Sequence, residues 1–320
     1  MLWRIRKISD KLTGSLVRMI NLNPEKKDKV VWKLKLYQRA AGFMPKITAL
    51  SGSVEKHNAD GLSLEIFKAK KSTSKKLIVN IHGGGFIMGL FSVYRNLSPV
   101  FSYAGQGASV VNIDYRTAPD HMYPAAHDDV LKAWDYLLDL GYAPEDIILI
   151  GDSAGGNLLL SLLLRLRDAN RPMPAAAVTI SAWTCLDSLS PSFIKNYRKD
   201  VLFGSRKGDF DDKKMAQFLH CGVYTYIGDA DNSDKYLSVS LCDYHNMPPM
   251  LMIVGGDECL LEDTLIVADK IKEAGGDIQV IVGEGMFHAY PLFYHLSATA
   301  KQTFSEILAF ISKHTRGHWR

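Results

Sequence analysis

Ile147-Ile148-Leu149-Ile150-Gly151-Asp152-Ser153-Ala154-Gly155-Gly156, followed by Asn157-Leu158-Leu159-Leu160, is the stretch on which the reading of this chain turns. Four consecutive apolar residues predict a strand buried on both faces, and the leucine-rich run to Leu166 predicts a helix. Between them stands one serine bracketed by small residues, in the pattern Gly-x-Ser-x-Gly at Gly151, Ser153 and Gly155. A strand that turns so sharply into a helix leaves no room for bulk on either side of the serine. Glycine meets that demand because it has no Cβ. The turn would present the Ser153 hydroxyl at the C-terminal edge of a sheet, beside helix N–H groups that can face developing negative charge.

Outward from this turn, strands and helices alternate. Strands are expected around Leu62, Leu64 and Ile66, then over 77–81, 109–114, 175–181, 250–254 and 278–282. Helices are expected over 125–140, 262–274 and 298–314, with two more within residues 1–50. The stretch 185–246 breaks the rhythm; it is polar and rich in aromatics, and a long insertion between core strands is more often functional than idle. The fold class is therefore α/β, a mostly parallel sheet with helices on both faces.

A serine hydroxyl becomes nucleophilic only when a base within reach takes its proton, and that base needs a carboxylate to fix its tautomer. Two loops at strand ends supply these groups: Gly255-Gly256-Asp257-Glu258, and Gly283-Glu284-Gly285-Met286-Phe287-His288. The order Ser153, Asp257, His288 is the serine–acid–histidine order of α/β-hydrolases. An oxyanion also needs donors, and His82-Gly83-Gly84-Gly85 follows an early strand where backbone N–H groups could approach a substrate oxygen. A phosphate-cradling loop is the competing reading, but no Lys-Ser/Thr follows and the glycine register fails at Met88. Glu258 is the alternative acid. Asp152 reads as a structural acceptor, His127 as a scaffold histidine and Cys259 as packing.

The composition narrows the classes. Across 320 residues the net charge is only +4, with no basic stripe interleaved with aromatics, which argues against a nucleic-acid partner. Four scattered cysteines without metal-ligand spacing predict reduced thiols, no metal site and a cytoplasmic protein. No apolar run reaches the roughly 20 residues a bilayer span needs. Leu2, Ile5, Ile8, Leu12, Leu16 and Met19 recur at helical spacing among basic residues, so this helix could touch an anionic membrane; packing on its own protein is the commoner outcome.

The sequence resembles the hormone-sensitive-lipase-like (bacterial family IV) esterases of the α/β-hydrolase superfamily. The resemblance rests on His82-Gly83-Gly84-Gly85-Phe86, Tyr115-Arg116-Thr117-Ala118-Pro119-Asp120-His121 with Tyr123-Pro124-Ala125-Ala126, the Gly151–Gly156 turn, and the acid and histidine loops. Asp120 stands where the family pattern usually has Glu. The resemblance implies Ser153 as nucleophile, His288 as base and Asp257, favoured over Glu258, as orienting acid. It implies the N–H groups of Gly84, Gly85 and Ala154 as oxyanion hole, with His82 and Gly83 shaping that loop. It also implies a helical cap made of residues 1–50 and 185–246 over a core of 51–184 and 247–320. The expected activity is hydrolysis of short- to medium-chain carboxylic esters, with no cofactor. A non-catalytic receptor for small molecules on the same scaffold, or a membrane-associated lipid hydrolase, are the alternatives. An exposed final strand could pair with a second copy in a homodimer.

Overall fold

A computed structural model describes residues 52–201, 203–204, 211, 224–295 and 297–315. The helices expected within 1–50, and part of the 185–246 insertion, lie outside the described residues. Eight strands form one sheet: β1 (Gly52–Ala59), β2 (Leu62–Ala69), β3 (Leu77–Ile81), β4 (Ser109–Asp114), β5 (Ile147–Asp152), β6 (Ala176–Ile180), β7 (Met250–Gly255) and β8 (Ile278–Gly283). Their spatial order is β1-β2-β4-β3-β5-β6-β7-β8. The β1–β2 and β2–β4 pairs are antiparallel and all others are parallel. The hairpin joining β1 to β2 turns at Asp60 and Gly61, both in the left-handed region, where a two-residue turn needs positive φ.

Alternation along the central strands builds two apolar layers. Ile147 and Leu149 of β5 face one cluster, and Ile148 and Ile150 face the other. Successive side chains of a strand point to opposite faces, so an unbroken apolar run is what a doubly covered strand requires. Helices α2 (Ala125–Asp139), α3 (Ala154–Asp168) and α5 (Leu261–Glu273) pack on the first face. Helices α1 (Ser92–Ala104) and α6 (Ala298–Thr315) cover the second, and α4 (Pro191–Asn196) is a short turn of helix in the insertion.

Helix α3 is buried almost all round, including Leu158, Leu159, Leu160, Leu162, Leu163, Leu164 and Leu166. Each such leucine contributes about 1.5–3 kcal/mol of transfer free energy, which anchors the helix that follows Ser153. The apolar cluster on this face continues into the insertion through Phe193, Tyr197, Tyr226, Leu237 and Tyr244. His127 couples three segments there: Nδ1 meets the Tyr226 hydroxyl at 2.8 Å, and Nε2 meets Asn157 Oδ1 at 3.1 Å. Burial pushes the His127 imidazole down to about 3, so it stays neutral. Among the described residues no helix is long and apolar enough to cross a membrane.

Candidate active site

Ser153 sits between the end of β5 and the first residue of α3, with φ 53° and ψ −122°. A non-glycine residue in that region is strained, and the strain is held by neighbours that leave no alternative. The Ser153 N–H donates to the Ile180 carbonyl at 2.9 Å, and the Ser153 carbonyl accepts from the Trp183 N–H at 3.1 Å. A Cβ on Gly155 would drive into the carbonyls of Ile81 and His82, and one on Gly151 into the carbonyl of Gly155. The expected requirement for small residues around the serine is therefore physical.

The glycine loop after β3 is shaped from beneath. The Gly83 N–H donates to Asp152 Oδ1 and to the Tyr94 hydroxyl, both at 3.0 Å, and that hydroxyl donates to Asp152 Oδ2 at 3.1 Å. Gly83 is thus spent on the fold of the loop. Gly84 and Gly85 follow with φ of 120° and 61°, a conformation that only glycine adopts without penalty. Among the described residues the N–H groups of Gly84, Gly85 and Ala154 carry no protein hydrogen bond. His82 is fully buried, stacked on Tyr115 with ring centroids 4.1 Å apart, and its Nδ1 contacts the Gly83 carbonyl at 2.8 Å. Burial lowers its imidazole to about 4 and raises the Asp152 carboxyl to about 6.

The acid loop corrects the sequence expectation. Asp257, favoured from sequence, does not reach His288; its side chain is 38% exposed and lies 3.5 Å from Lys199. His288 Nδ1 instead meets Glu258 Oε2 at 2.6 Å, with the Glu258 side chain fully buried. The reason lies in the backbone beyond β7. The Gly256 N–H donates to the Gly283 carbonyl at 2.7 Å, and the Asp257 N–H donates to the Met286 carbonyl at 3.1 Å. Beyond β7 the chain turns, the Glu258 N–H closing back on the Gly255 carbonyl at 3.5 Å, and these bonds seat the turn against the end of β8 and the histidine loop. Asp257 takes the solvent side and Glu258 the inner one. The second Glu258 oxygen accepts from the Gly255 N–H and from Ser181 Oγ, the latter at 2.7 Å.

Ser181 is a residue the sequence reading missed. Its hydroxyl also accepts the Ala289 N–H at 3.0 Å, which ties the acid, the end of β6 and the histidine loop together. Its only sequence signal is its place at a strand's C-terminal end. The Ser153 N–H bonds the preceding residue, Ile180, so serine, acid and histidine hang on one hydrogen-bonded edge of the sheet. Burial works against a charged His288, but the Glu258 carboxylate and its hydrogen bond outweigh it and raise the imidazole above its ordinary value. Among the described residues no group of three His, Cys, Asp or Glu is placed to hold a metal ion.

The α/β-hydrolase-fold family profile matches residues 78–292, which include the glycine loop, the serine turn and the loops that carry Glu258 and His288. The chain belongs to that family. An esterase of Acinetobacter venetianus is 32% identical over 251 residues, covering 78% of each chain. An acetyl-hydrolase of Streptomyces hygroscopicus is 29% identical over 236 residues, covering 74% of this chain and 75% of its own. Among solved structures, an esterase of the bacterial hormone-sensitive lipase family superposes with a TM-score of 0.78 at 28% identity, covering 96% of this chain and 98% of its own. The resemblance read from the sequence is thus borne out: the chain is a hormone-sensitive-lipase-like esterase of the α/β-hydrolase fold.

Proposed function

We propose that the chain hydrolyses small carboxylic esters through an acyl-enzyme, with Ser153 as nucleophile, His288 as proton carrier and Glu258 as the carboxylate that orients it. The observation that carries this reading is the buried His288–Glu258 pair, whose bonds to Ser181 adjoin the Ile180 carbonyl that holds the strained Ser153. Glu258 fixes the tautomer with the proton on Nδ1, which leaves Nε2 free to accept the Ser153 proton. The Ser153 oxygen then adds to the ester carbonyl. The N–H groups of Gly84, Gly85 and Ala154 receive the oxyanion, and each donor of this kind is worth about 2.7–4 kcal/mol of barrier. Collapse expels the alcohol, protonated by His288. Water deprotonated by the same imidazole repeats the addition on the acyl-enzyme and releases the carboxylic acid, returning the proton to Ser153. The helix α3 N-terminus adds a favourable field at the oxyanion.

Relatives named as esterases and an acetyl-hydrolase support acyl groups of short to medium length. Ser153→Ala should lower kcat on a p-nitrophenyl ester by about 10⁴-fold or more while keeping the thermal transition. It should also abolish labelling by a fluorophosphonate probe. Turnover close to wild type in that variant would exclude Ser153 as nucleophile.

A further inference from the structure

The acid loop is held on its outer side by residues 190–201 and 203 of the insertion. Asn196 Nδ2 donates to the carbonyls of Gly256 at 3.1 Å and Glu258 at 3.0 Å. Ser192 Oγ donates to the Cys259 carbonyl at 2.6 Å. Asp200 is buried, and it accepts the Cys259 N–H through Oδ2 at 2.6 Å and the Phe203 N–H through Oδ1 at 2.9 Å. The Phe203 ring stands edge-on to the His288 imidazole, with centroids 5.2 Å apart and planes at 81°. One carboxylate therefore grips the residue next to Glu258 and, with its other oxygen, the turn that sets an aromatic wall against the base.

We propose that Asp200 is a positioning residue of the active site, fixing from the insertion both the alignment of Glu258 with His288 and the ring that covers the imidazole. This rests on the Ser153–His288–Glu258 reading given above. It makes the seating of the insertion and the geometry of proton transfer a single variable. Hydrogen bonds to a carboxylate are short and strong, so a carboxylate that accepts two backbone N–H groups is a stiff joint. Among the described residues the charged groups around the imidazole are Glu258 from the acid loop, Asp152 from the serine turn and Asp200 from the insertion. Loss of the Asp200 charge weakens the hold on the imidazolium as well as the joint.

The test is Asp200→Asn in the full chain, assayed on p-nitrophenyl acetate across pH. An amide of the same shape can accept only one of the two N–H groups. Misplacing a proton carrier by a fraction of an ångström should lower kcat roughly 10- to 100-fold. KM should move by less than about threefold, and the acid limb of kcat/KM should shift to lower pH. Asp200→Glu, which keeps the charge and both acceptors, should recover part of the lost kcat. A rise in KM or a fall in thermal midpoint, with kcat and the acid limb as in wild type, would overturn the proposal by showing that Asp200 only packs the insertion.

Should Asp200→Asn not fold, Asn196→Ala releases the same loop without touching a charge. A fall in kcat at steady KM would support the proposal, and an effect on KM alone would overturn it. Glu258→Ala is assayed beside them. If it turns over like wild type, the triad reading falls and this proposal with it. If it is inactive while Asp200→Asn is unimpaired, only the positioning role is lost.

Discussion

The glycine loop at 82–86 and the acid loop at 255–261 serve the same site but are held in different ways. The first is braced by the core itself: Asp152 and Tyr94 take the Gly83 N–H, and the Tyr115 hydroxyl donates to the His82 carbonyl at 2.7 Å. The second is braced across the chain, by β8 on one side and by Ser192, Asn196 and Asp200 of the insertion on the other. The glycine loop is therefore tied to the sheet, whereas the placing of Glu258 depends on a segment that also lies beside His288. The contrast between Asp257 and Glu258 is the finest expression of this. Two adjacent carboxylates on one turn end in different places, Asp257 at the surface beside Lys199 and Glu258 buried against the imidazole.

The largest expected effect that tests this contrast is at Glu258. Glu258→Gln should lower kcat by about 10³–10⁴-fold, because an amide that donates to Nδ1 enforces the wrong tautomer. Steady-state kinetics on a p-nitrophenyl ester, with the thermal midpoint as folding control, checks it; retention of more than a tenth of the wild-type rate would return the role to another carboxylate. For the core-braced loop the expected effect is smaller and carries a pH signature. Asp152→Asn keeps an acceptor for the Gly83 N–H and should cost about tenfold in kcat.

The stability of that variant has a defined sign. Burial raises the Asp152 carboxyl from 3.8 to about 6, so the folded state holds its proton more tightly than the unfolded chain does. Its contribution to stability is greatest below about pH 4 and declines as pH rises toward 6. The Asn variant does not ionise, so its thermal midpoint should gain on wild type across that window; parallel curves would mean that Asp152 titrates normally in the fold. The smallest effect belongs to Asp257. Asp257→Asn should leave kcat within about twofold of wild type, since an exposed ion pair contributes at most about 1 kcal/mol, and a large loss would reverse the assignment of the two carboxylates.

Much of the fold was legible because a parallel strand covered on both faces must be apolar throughout. Residues 147–150 and 250–254 show that run unbroken, and 77–81 and 109–114 show it around Asn80 and Asn112, which satisfy each other in a buried hydrogen bond at 2.8 Å. The serine turn and the glycine loop were legible for a local reason, since small residues are demanded within a few positions of each other. Strand β1 was not read, although Asp60-Gly61 is the expected hairpin signal. Helix α1 was not read either. Its inner face of Tyr94, Leu97 and Phe101 is interrupted by buried Ser98 and Ser102, and Pro99 lies inside it. The choice between Asp257 and Glu258 was not legible, because it depends on how the turn after β7 seats against residues 283 and 286, some 27 to 29 positions along the chain.

The shared apolar layer and the His127 junction bear on how the molecule comes apart. Asn157 accepts from His127 and donates to the Trp183 and Leu237 carbonyls at 2.8 Å, so every polar atom of the junction is used and none can be withdrawn without stranding another. Among the described residues the buried apolar side chains of the insertion join the core cluster on this side. In thermodynamic terms the described part of the insertion belongs to the body it rests on, and a substitution that loosens it should lower the thermal midpoint of that body.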